Sequence, residues 1–353
     1  MKRWLSKAET TLGNHSDRLN AINIFPVADG DTGTNLYLTV RAAAHALRET
    51  VPDTAAMPQI TAELLSADPA VHVVGPPDPA HNDVGAVLSR AGQAAMEQAR
   101  GNSGTLFAVF LCAAAEPLAG HARLSSPLLA TALDRAQLRA WSALSEPVPG
   151  TMLSVMEAAA RAAAAVDAEH GGDDSNHTLG LALDAAVEAA LAAVVRTEDQ
   201  LAALHTAHVV DAGGVGMLLI LDCLRSAVLG EELQSELLDG LHGYDVQDPH
   251  IHADMPRDDG VEVMCTISLS PLDAAMLRQR LDEMGDSVIM SQVGGDADAN
   301  GAYRWRVHVH VPAADAAVVL IRSLGEPDDL SVSELAVPRD PAADPRNPDG
   351  HAR

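Results

Sequence analysis

The sequence predicts a multi-domain protein: an all-α bundle of about eight helices followed by a small α/β domain of ferredoxin-like order. Three observations carry this. Helical apolar spacing recurs through the first 230 residues, period-two alternation replaces it after residue 260, and only nine of the 353 residues are aromatic. With 47% of the chain hydrophobic, core volume must come from Ala, Leu, Val and Met, which suit closely packed helices.

Leu36, Val40, Ala43 and Leu47 fall on one helical face and open the bundle. Further helices are predicted over 84–99, 104–116, 127–144, 151–168, 178–195, 198–206 and 214–229. Residues 50–83 hold several prolines and read as a long loop, and 169–177 as a polar loop. Residues 231–259 read as a polar, His-containing linker. Strands follow at 261–270, 287–293, 302–311 and 330–337, with helices at 271–284 and 313–324. The order β-α-β-β-α-β is that of the split-βαβ fold. Pro271 suits the first turn of its helix, where a missing N–H costs nothing. The tail 339–353, rich in Pro and Asp, is expected to be disordered.

A formal net charge of −26 opposes nucleic acid as a partner, since phosphate binding needs a basic face, and opposes docking on an anionic membrane. Most of the acids are expected to solvate the surface. Three scattered cysteines make no disulfide framework. Cys112 and Cys223 lie in apolar helical runs and read as buried thiols. The amino terminus shows no apolar leader, and no charge-free run reaches the length of a membrane span, so a cytoplasmic protein without an integral membrane segment is expected.

The chemistry concentrates in INIFPVADGDTGTNL (22–36). Asp29 and Asp31 flank Gly30, and two carboxylates this close repel unless a cation lies between them. Such hard oxygen ligands suit Mg²⁺. Thr32, Gly33, Thr34 and Asn35 precede an amphipathic helix, whose N-terminus favours an anion. Three other loops place small residues at helix starts: Gly101, Asn102, Ser103 and Gly104; Gly150 and Thr151; and Asp211, Gly213, Gly214 and Gly216. Each could be a plain helix cap, and a lone instance usually is one. Four in one bundle suggest a common anion-binding rim.

In this order, NIFPVADGDTGTNL, ARGNSGTL, EPVPGTML and VDAGGVG resemble the nucleotide-binding domain of the dihydroxyacetone kinase L-subunit superfamily, and most nearly the kinase subunit of bacterial fatty acid kinase. The resemblance spans about residues 5–230. It implies a barrel of antiparallel helices that binds ATP with Mg²⁺ held by Asp29 and Asp31. It makes Thr34, Asn35, Asn102, Ser103 and Gly104 phosphate contacts, Thr151 and Met152 part of the nucleotide pocket, and Asp211 and Gly213 a closing loop. The dihydroxyacetone kinase subunit has a third Asp where this chain has Ile24, with Asn23 the nearest polar residue and a weaker, neutral ligand. That departure favours the fatty-acid-kinase branch.

His308 and His310 share one strand face, and Cys265 lies on the strand expected beside it. The three are a candidate zinc site, a surface histidine pair with a buried thiol being the plainer reading. The resemblance favours zinc, because the family's middle domain carries a similar Cys-Thr strand and Val-His-Val-His strand. His250 and His252 could supply a further ligand, though solvated histidines suit that segment equally. Trp305 and Tyr303 read as sheet packing. In the family a third domain follows, concerned with the fatty-acid-binding partner, and this sequence is expected to lack it. The implied activity is ATP-dependent phosphoryl transfer to a fatty acid on a separate carrier protein, with a homodimer left open. The alternatives are a nucleotide-sensing scaffold without turnover and a dihydroxyacetone (glycerone) kinase subunit.

Overall fold

Periodicity assigns the first helix to the Leu36–Leu47 stripe. The computed structural model, which describes residues 1–48, 83–244, 260–294 and 297–335, adds a twenty-residue helix before it, α1 (Lys2–Ala21). Trp4, Leu5, Ala8, Leu12 and Leu19 form its buried stripe. The Trp4 indole donates to the Ile220 carbonyl at 2.9 Å. There follow α2 (Thr32–Arg48), α3 (Val84–Gln98), α4 (Gly101–Ala115), α5 (Ser126–Ala143), α6 (Met152–Glu169), α7 (Asn176–Gln200), the short α8 (Ala202–Ala207) and α9 (Ala212–Leu229).

Each long helix packs on its neighbour in sequence, α7 packs on α9, and α9 packs back on α1. The contacts thus close a ring. In a ring of alternating helices every second connection falls at the same end. The α1–α2, α3–α4, α5–α6 and α7–α9 connections are those alternate ones, and they carry the four small-residue loops.

The wall is lined by Ala and Leu, and small residues let helices approach. Gly33 is the tightest case on α1: a Cβ there would stand 2.2 Å from the Ser16 carbonyl oxygen. Several helix starts are capped by side chains. Asp83 accepts from the Ala86 amide, Ser175 from Thr178, and Asp211 from Gly214. Gly230, at φ 76°, ends α9 in the left-handed conformation.

Among the described residues two helices, α7 and α9, are long and apolar enough to cross a membrane by length and composition. In α9, 83% of the most apolar stretch is buried inside the protein, as a core helix is. The start of the segment read as a linker is not a free tether. Leu237, Leu241 and Tyr244 are buried, and the Tyr244 hydroxyl lies 2.6 Å from His15 Nδ1 on α1. The 50–82 loop, His250, His252, the rest of that linker, residues 336–337 of the last expected strand and the tail lie outside the described residues.

The second unit comprises β1 (Val261–Leu269), α10 (Pro271–Asp282), β2 (Asp286–Val293), β3 (Tyr303–Val311), α11 (Ala314–Leu324) and β4 (Asp328–Glu334). Its sheet has the order β2-β3-β1-β4, every neighbour antiparallel, which is the split-βαβ arrangement. One face carries Val263, Cys265, Ile267, Val307 and Val309 against Leu277, Leu281, Ala317 and Ile321 of α10 and α11. The other carries Met264, Thr266, Arg306, His308 and His310, all buried, and turns toward the helical unit. The Arg306 guanidinium donates to the Ala99 carbonyl at 3.2 Å, and the Ser145 amide to the Val288 carbonyl at 3.1 Å. Ile289 joins the helical core outright.

Candidate functional site

The α1–α2 connection turns at Gly30 (φ 68°) and brings Asp29 and Asp31 together. The Asn23 amide donates to Asp29 Oδ1 at 2.5 Å. Burial pushes the Asp29 carboxyl up to about 8, and the neighbouring Asp31 charge adds to the push. Burial also raises Asp31, with the Glu262 charge adding to it and the Asn35 amide and Asp29 opposing it. Each carboxyl thus opposes ionisation of the pair. That is the behaviour of two acids arranged around a missing positive charge, so the donor set fits a hard divalent cation.

A cavity of about 50 Å³ lies against the pair, lined by Asn23, Asp29, Asp31, Thr32, Asn35, Gly101, Asn102 and Ser103, and from the sheet unit by Glu262 and His310. It has room for a cation with a few waters. A second cavity, of about 270 Å³, shares Thr32, Asn102 and Ser103 with the first. It continues past Leu106, Glu146, Thr151, Met152, Asp211 and Gly213 to Asp286 and Ser287. Its size approaches that of small-molecule pockets, which begin near ~300 Å³. The Asp211 side chain caps α9 through the Gly214 amide at 2.6 Å, and burial pushes its carboxyl up to about 7.

Several expected contacts stand elsewhere. Thr34 is exposed and exchanges hydrogen bonds with Asn20, its hydroxyl accepting at 2.9 Å and its amide donating at 3.1 Å. It projects away from the cavities because Thr32 and Asn35 occupy the inward face of that turn. Gly33 and Gly104 serve helix contact, since a Cβ on Gly104 would stand 2.5 Å from Thr39 Oγ1. Gly150 makes a turn at φ 84° and donates to Ser154 Oγ, and Gly214 serves the Asp211 cap. Gly216 faces Leu36. None of these five glycines lines either cavity.

The Cys265, His308, His310 trio does not converge. Cys265 pairs with Val307 in the β1–β3 register, so period two puts its thiol on the face opposite both histidines. There it is buried among aliphatic side chains, and burial pushes it up to about 12. Glu262, opposite His310, takes its place. Ligand atoms of Glu262, His308 and His310 lie within 4.8 Å of one another. His308 Nδ1 stands 3.1 Å from Glu262 Oε1 but out of hydrogen-bond alignment, and His308 Nε2 and His310 Nδ1 have no hydrogen-bond partner. Burial pushes His310 down to about 3, with His308 adding to the effect, and its Nδ1 stands 3.7 Å from Asp286 Oδ1.

Sequence reasoning missed Glu262, Glu146, Asp286 and Ser287. Glu262 had a signal in its odd separation from Cys265, which sets it on the other strand face. Asp286 and Ser287 reach the larger cavity only through domain packing.

Residues 73–226 match the family described as the DAK2 domain, and residues 260–339 the family of the FakA-like middle domain of fatty acid kinase. The first match begins after the Asp29–Asp31 loop, so that loop stands on its own geometry. An uncharacterised protein of Staphylococcus aureus strain bovine RF122 / ET3-1 is 26% identical over 307 residues, which are 85% of this chain and 48% of that protein. One from strain USA300 is 25% identical over the same shares. The chain thus spans about half the length of the curated relatives it matches. Dihydroxyacetone kinase from C. freundii, solved in complex with AMP-PNP and Mg²⁺, aligns at 19% identity with a TM-score of 0.42, over 64% of this chain and 33% of that one. The chain thus carries a region that matches the DAK2 domain family, followed by one that matches the FakA-like middle domain family.

Proposed function

We propose that the chain binds Mg·ATP at the joined cavities and transfers a phosphoryl group to a carboxylate or hydroxyl acceptor, in the manner of a fatty acid kinase whose substrate is a carrier-bound fatty acid. In this reading residues 1–230 form a barrel-like kinase domain and 260–338 the middle domain. The observation that carries it is the half-buried Asp29–Asp31 pair, set beside the N-terminal turn of α4 and next to a second cavity of about 270 Å³.

The residues divide the work by position. Asp29 and Asp31 would hold Mg²⁺, which supplies neutralisation of phosphate charge. Asn23 orients Asp29, and Asn35 orients Asp31. The first turn of α4 offers backbone amides and the Asn102 and Ser103 side chains to the phosphates. Asn102 Oδ1 is buried without a partner, as a group awaiting a ligand is. Leu106, Met152 and Gly213 give the larger cavity an apolar wall for a base. No side chain is required as a nucleophile. The acceptor attacks in line, and binding and electrostatics do the rest.

We also place a second metal, zinc, at His308 and His310, with Glu262 rather than Cys265 as the third donor. Its support is the set of bare imidazole nitrogens in a buried place.

The test is Mg²⁺-dependent ATP binding and ATP consumption, with and without a fatty-acid-loaded carrier. Asp29→Asn and Asp31→Asn should each abolish Mg²⁺-dependent turnover while melting at or above the wild-type temperature. Wild-type turnover in either variant refutes the assignment. Tight ATP binding without turnover under every condition would make the chain a sensor.

A further inference from the structure

The turn between α3 and α4 is placed by the sheet unit. Ala99 ends α3, Arg100 precedes α4, and Gly101, at φ 57°, begins it. Arg100 makes no side-chain cap, unlike Asp83, Ser175 and Asp211 at their helices. Two neighbouring strands grip the turn instead, one on each side of Arg100. Arg306 of β3 donates from Nη2 to the Ala99 carbonyl at 3.2 Å, and the Gly101 amide donates to the Glu262 carboxylate of β1. The gripped turn leads straight into Gly101, Asn102 and Ser103, which line the cavity beside Asp29 and Asp31.

The charge on Arg306 goes beyond what docking requires. The side chain is buried, with the residue 5% exposed. Its Nη1 donates to Thr266 Oγ1 at 3.2 Å, and its Nε is buried without a partner. Among the described residues no carboxylate pairs with it, and Glu262 and Asp329 act on it only through space. Arg225, equally buried, is treated differently: Asp222 accepts from its Nε at 2.8 Å and Glu231 from its Nη1 at 2.6 Å. A guanidinium sealed away without a bonded counter-charge is costly, and a neutral amide could serve a carbonyl as well. The surroundings add to the excess. The Arg100 charge is near enough to repel Arg306, and α4 presents its positive end to the same place. Such a concentration of positive charge is complementary to an anion seated on the first turn of α4.

We infer that Arg306 is the positioning residue of the phosphate turn: it fixes the Ala99 carbonyl ahead of α4, and its unpaired charge is balanced by the polyphosphate held at that helix start. This rests on the Mg·ATP reading above and deepens it. The sheet domain then sets the affinity for the phosphates without touching them.

The experiment is calorimetric titration of the full-length chain with ATP, ADP and AMP in Mg²⁺, and with Mn²⁺ alone. Arg306→Gln should weaken ATP binding by about tenfold or more, the size of one charge-assisted interaction. The loss should shrink with each phosphate removed, to about threefold or less for AMP, and Mn²⁺ affinity should stay within about threefold. Arg306→Lys, which keeps the charge and a donor, should recover ATP affinity to within about threefold of wild type. Wild-type ATP affinity in Arg306→Gln overturns the inference and leaves the Mg·ATP reading intact. Equal losses for ATP and AMP, a matching loss for Mn²⁺, or a lysine variant as weak as the glutamine one overturn it too, since each marks general damage to the junction. No Mg²⁺-dependent ATP binding by the wild type sinks both. Should Arg306→Gln fail to fold, Arg306→Met, which fills the space without a polar group to bury, is read by the same criteria. Failure of both to fold makes the arginine a docking strut and overturns the inference.

Discussion

Replacing Gly33 with alanine and Gly180 with alanine should move stability in opposite directions. The two are the same chemical change in two helices. At Gly33 the new Cβ meets the Ser16 carbonyl oxygen at 2.2 Å and Leu19 Cβ at 2.8 Å. The first is backbone, so no rotamer relieves it, and α1 and α2 must separate by about 1 Å to restore contact distance. Overpacking of this kind costs about 1–3 kcal/mol, and a backbone obstacle belongs at the upper end, about 3 kcal/mol. At Gly180, on α7, the nearest atom is Leu229 Cδ2 at 3.4 Å, an ordinary contact. There the helix gains about 0.5–1 kcal/mol from the reduced freedom of the unfolded chain. Urea unfolding of the two variants beside the wild type measures both. The midpoint should fall for Gly33→Ala and rise for Gly180→Ala, with a gap between them of about 4 kcal/mol. Because Gly33 lies two residues beyond Asp31, Mn²⁺ affinity should fall with it. An unchanged or raised midpoint in Gly33→Ala would refute the account of how α1 seats the loop.

Three further outcomes are expected. The Asp211 carboxyl, at about 7 in the fold against an ordinary 3.8, holds a proton the unfolded chain has lost. Its contribution is therefore full below pH 4 and disappears as pH rises through 7, a change on the order of 4 kcal/mol at most. Asp211→Asn should flatten the fall in melting temperature between pH 4 and 8, and parallel curves would show that the group does not titrate there. Asp222 is buried, with one oxygen on Arg225 Nε at 2.8 Å and the other on the Gln234 amide at 2.9 Å, so Asp222→Ala should cost about 3 kcal/mol in urea unfolding. By contrast Arg48→Ala, which breaks a half-exposed pair with Glu9, should change stability by about 0.5 kcal/mol or less, and a larger loss would mean Arg48 does more than pair.

Much of the architecture was legible because it rests on periods. Alternation in AYRWRVHVHV and VEVMCTISLS marked the strands, and the β-α-β-β-α-β order followed. Small-residue loops before apolar runs marked the rim. The α1 helix was less legible because its buried stripe is thin: between Leu12 and Leu19 it presents His15, Ser16 and Asp17. The parity of Cys265 against His308 could not be read from either strand alone. It depends on the β1–β3 register, which the intervening helix, strand and turn set together. Thr34 was assigned inward from its place in a motif. On a helix a residue two positions from Thr32 points to another side, and Asn20 was there to receive it. Glu262, Asp286 and Ser287 became visible only through docking, because residues over two hundred positions from the first loop complete its walls.

The sheet's second face has a consequence for anyone dividing this protein. Severing the chain between Tyr244 and Gly260 would free a helical half whose Ala99 carbonyl loses the Arg306 cation and whose core loses Ile289. The other half would present two wet imidazoles, an arginine and a stray acid to bulk water. Neither fragment would keep the wall of the cavity beside Asp29 and Asp31, which draws on both halves, so measurements on an excised amino-terminal piece would describe half a cup.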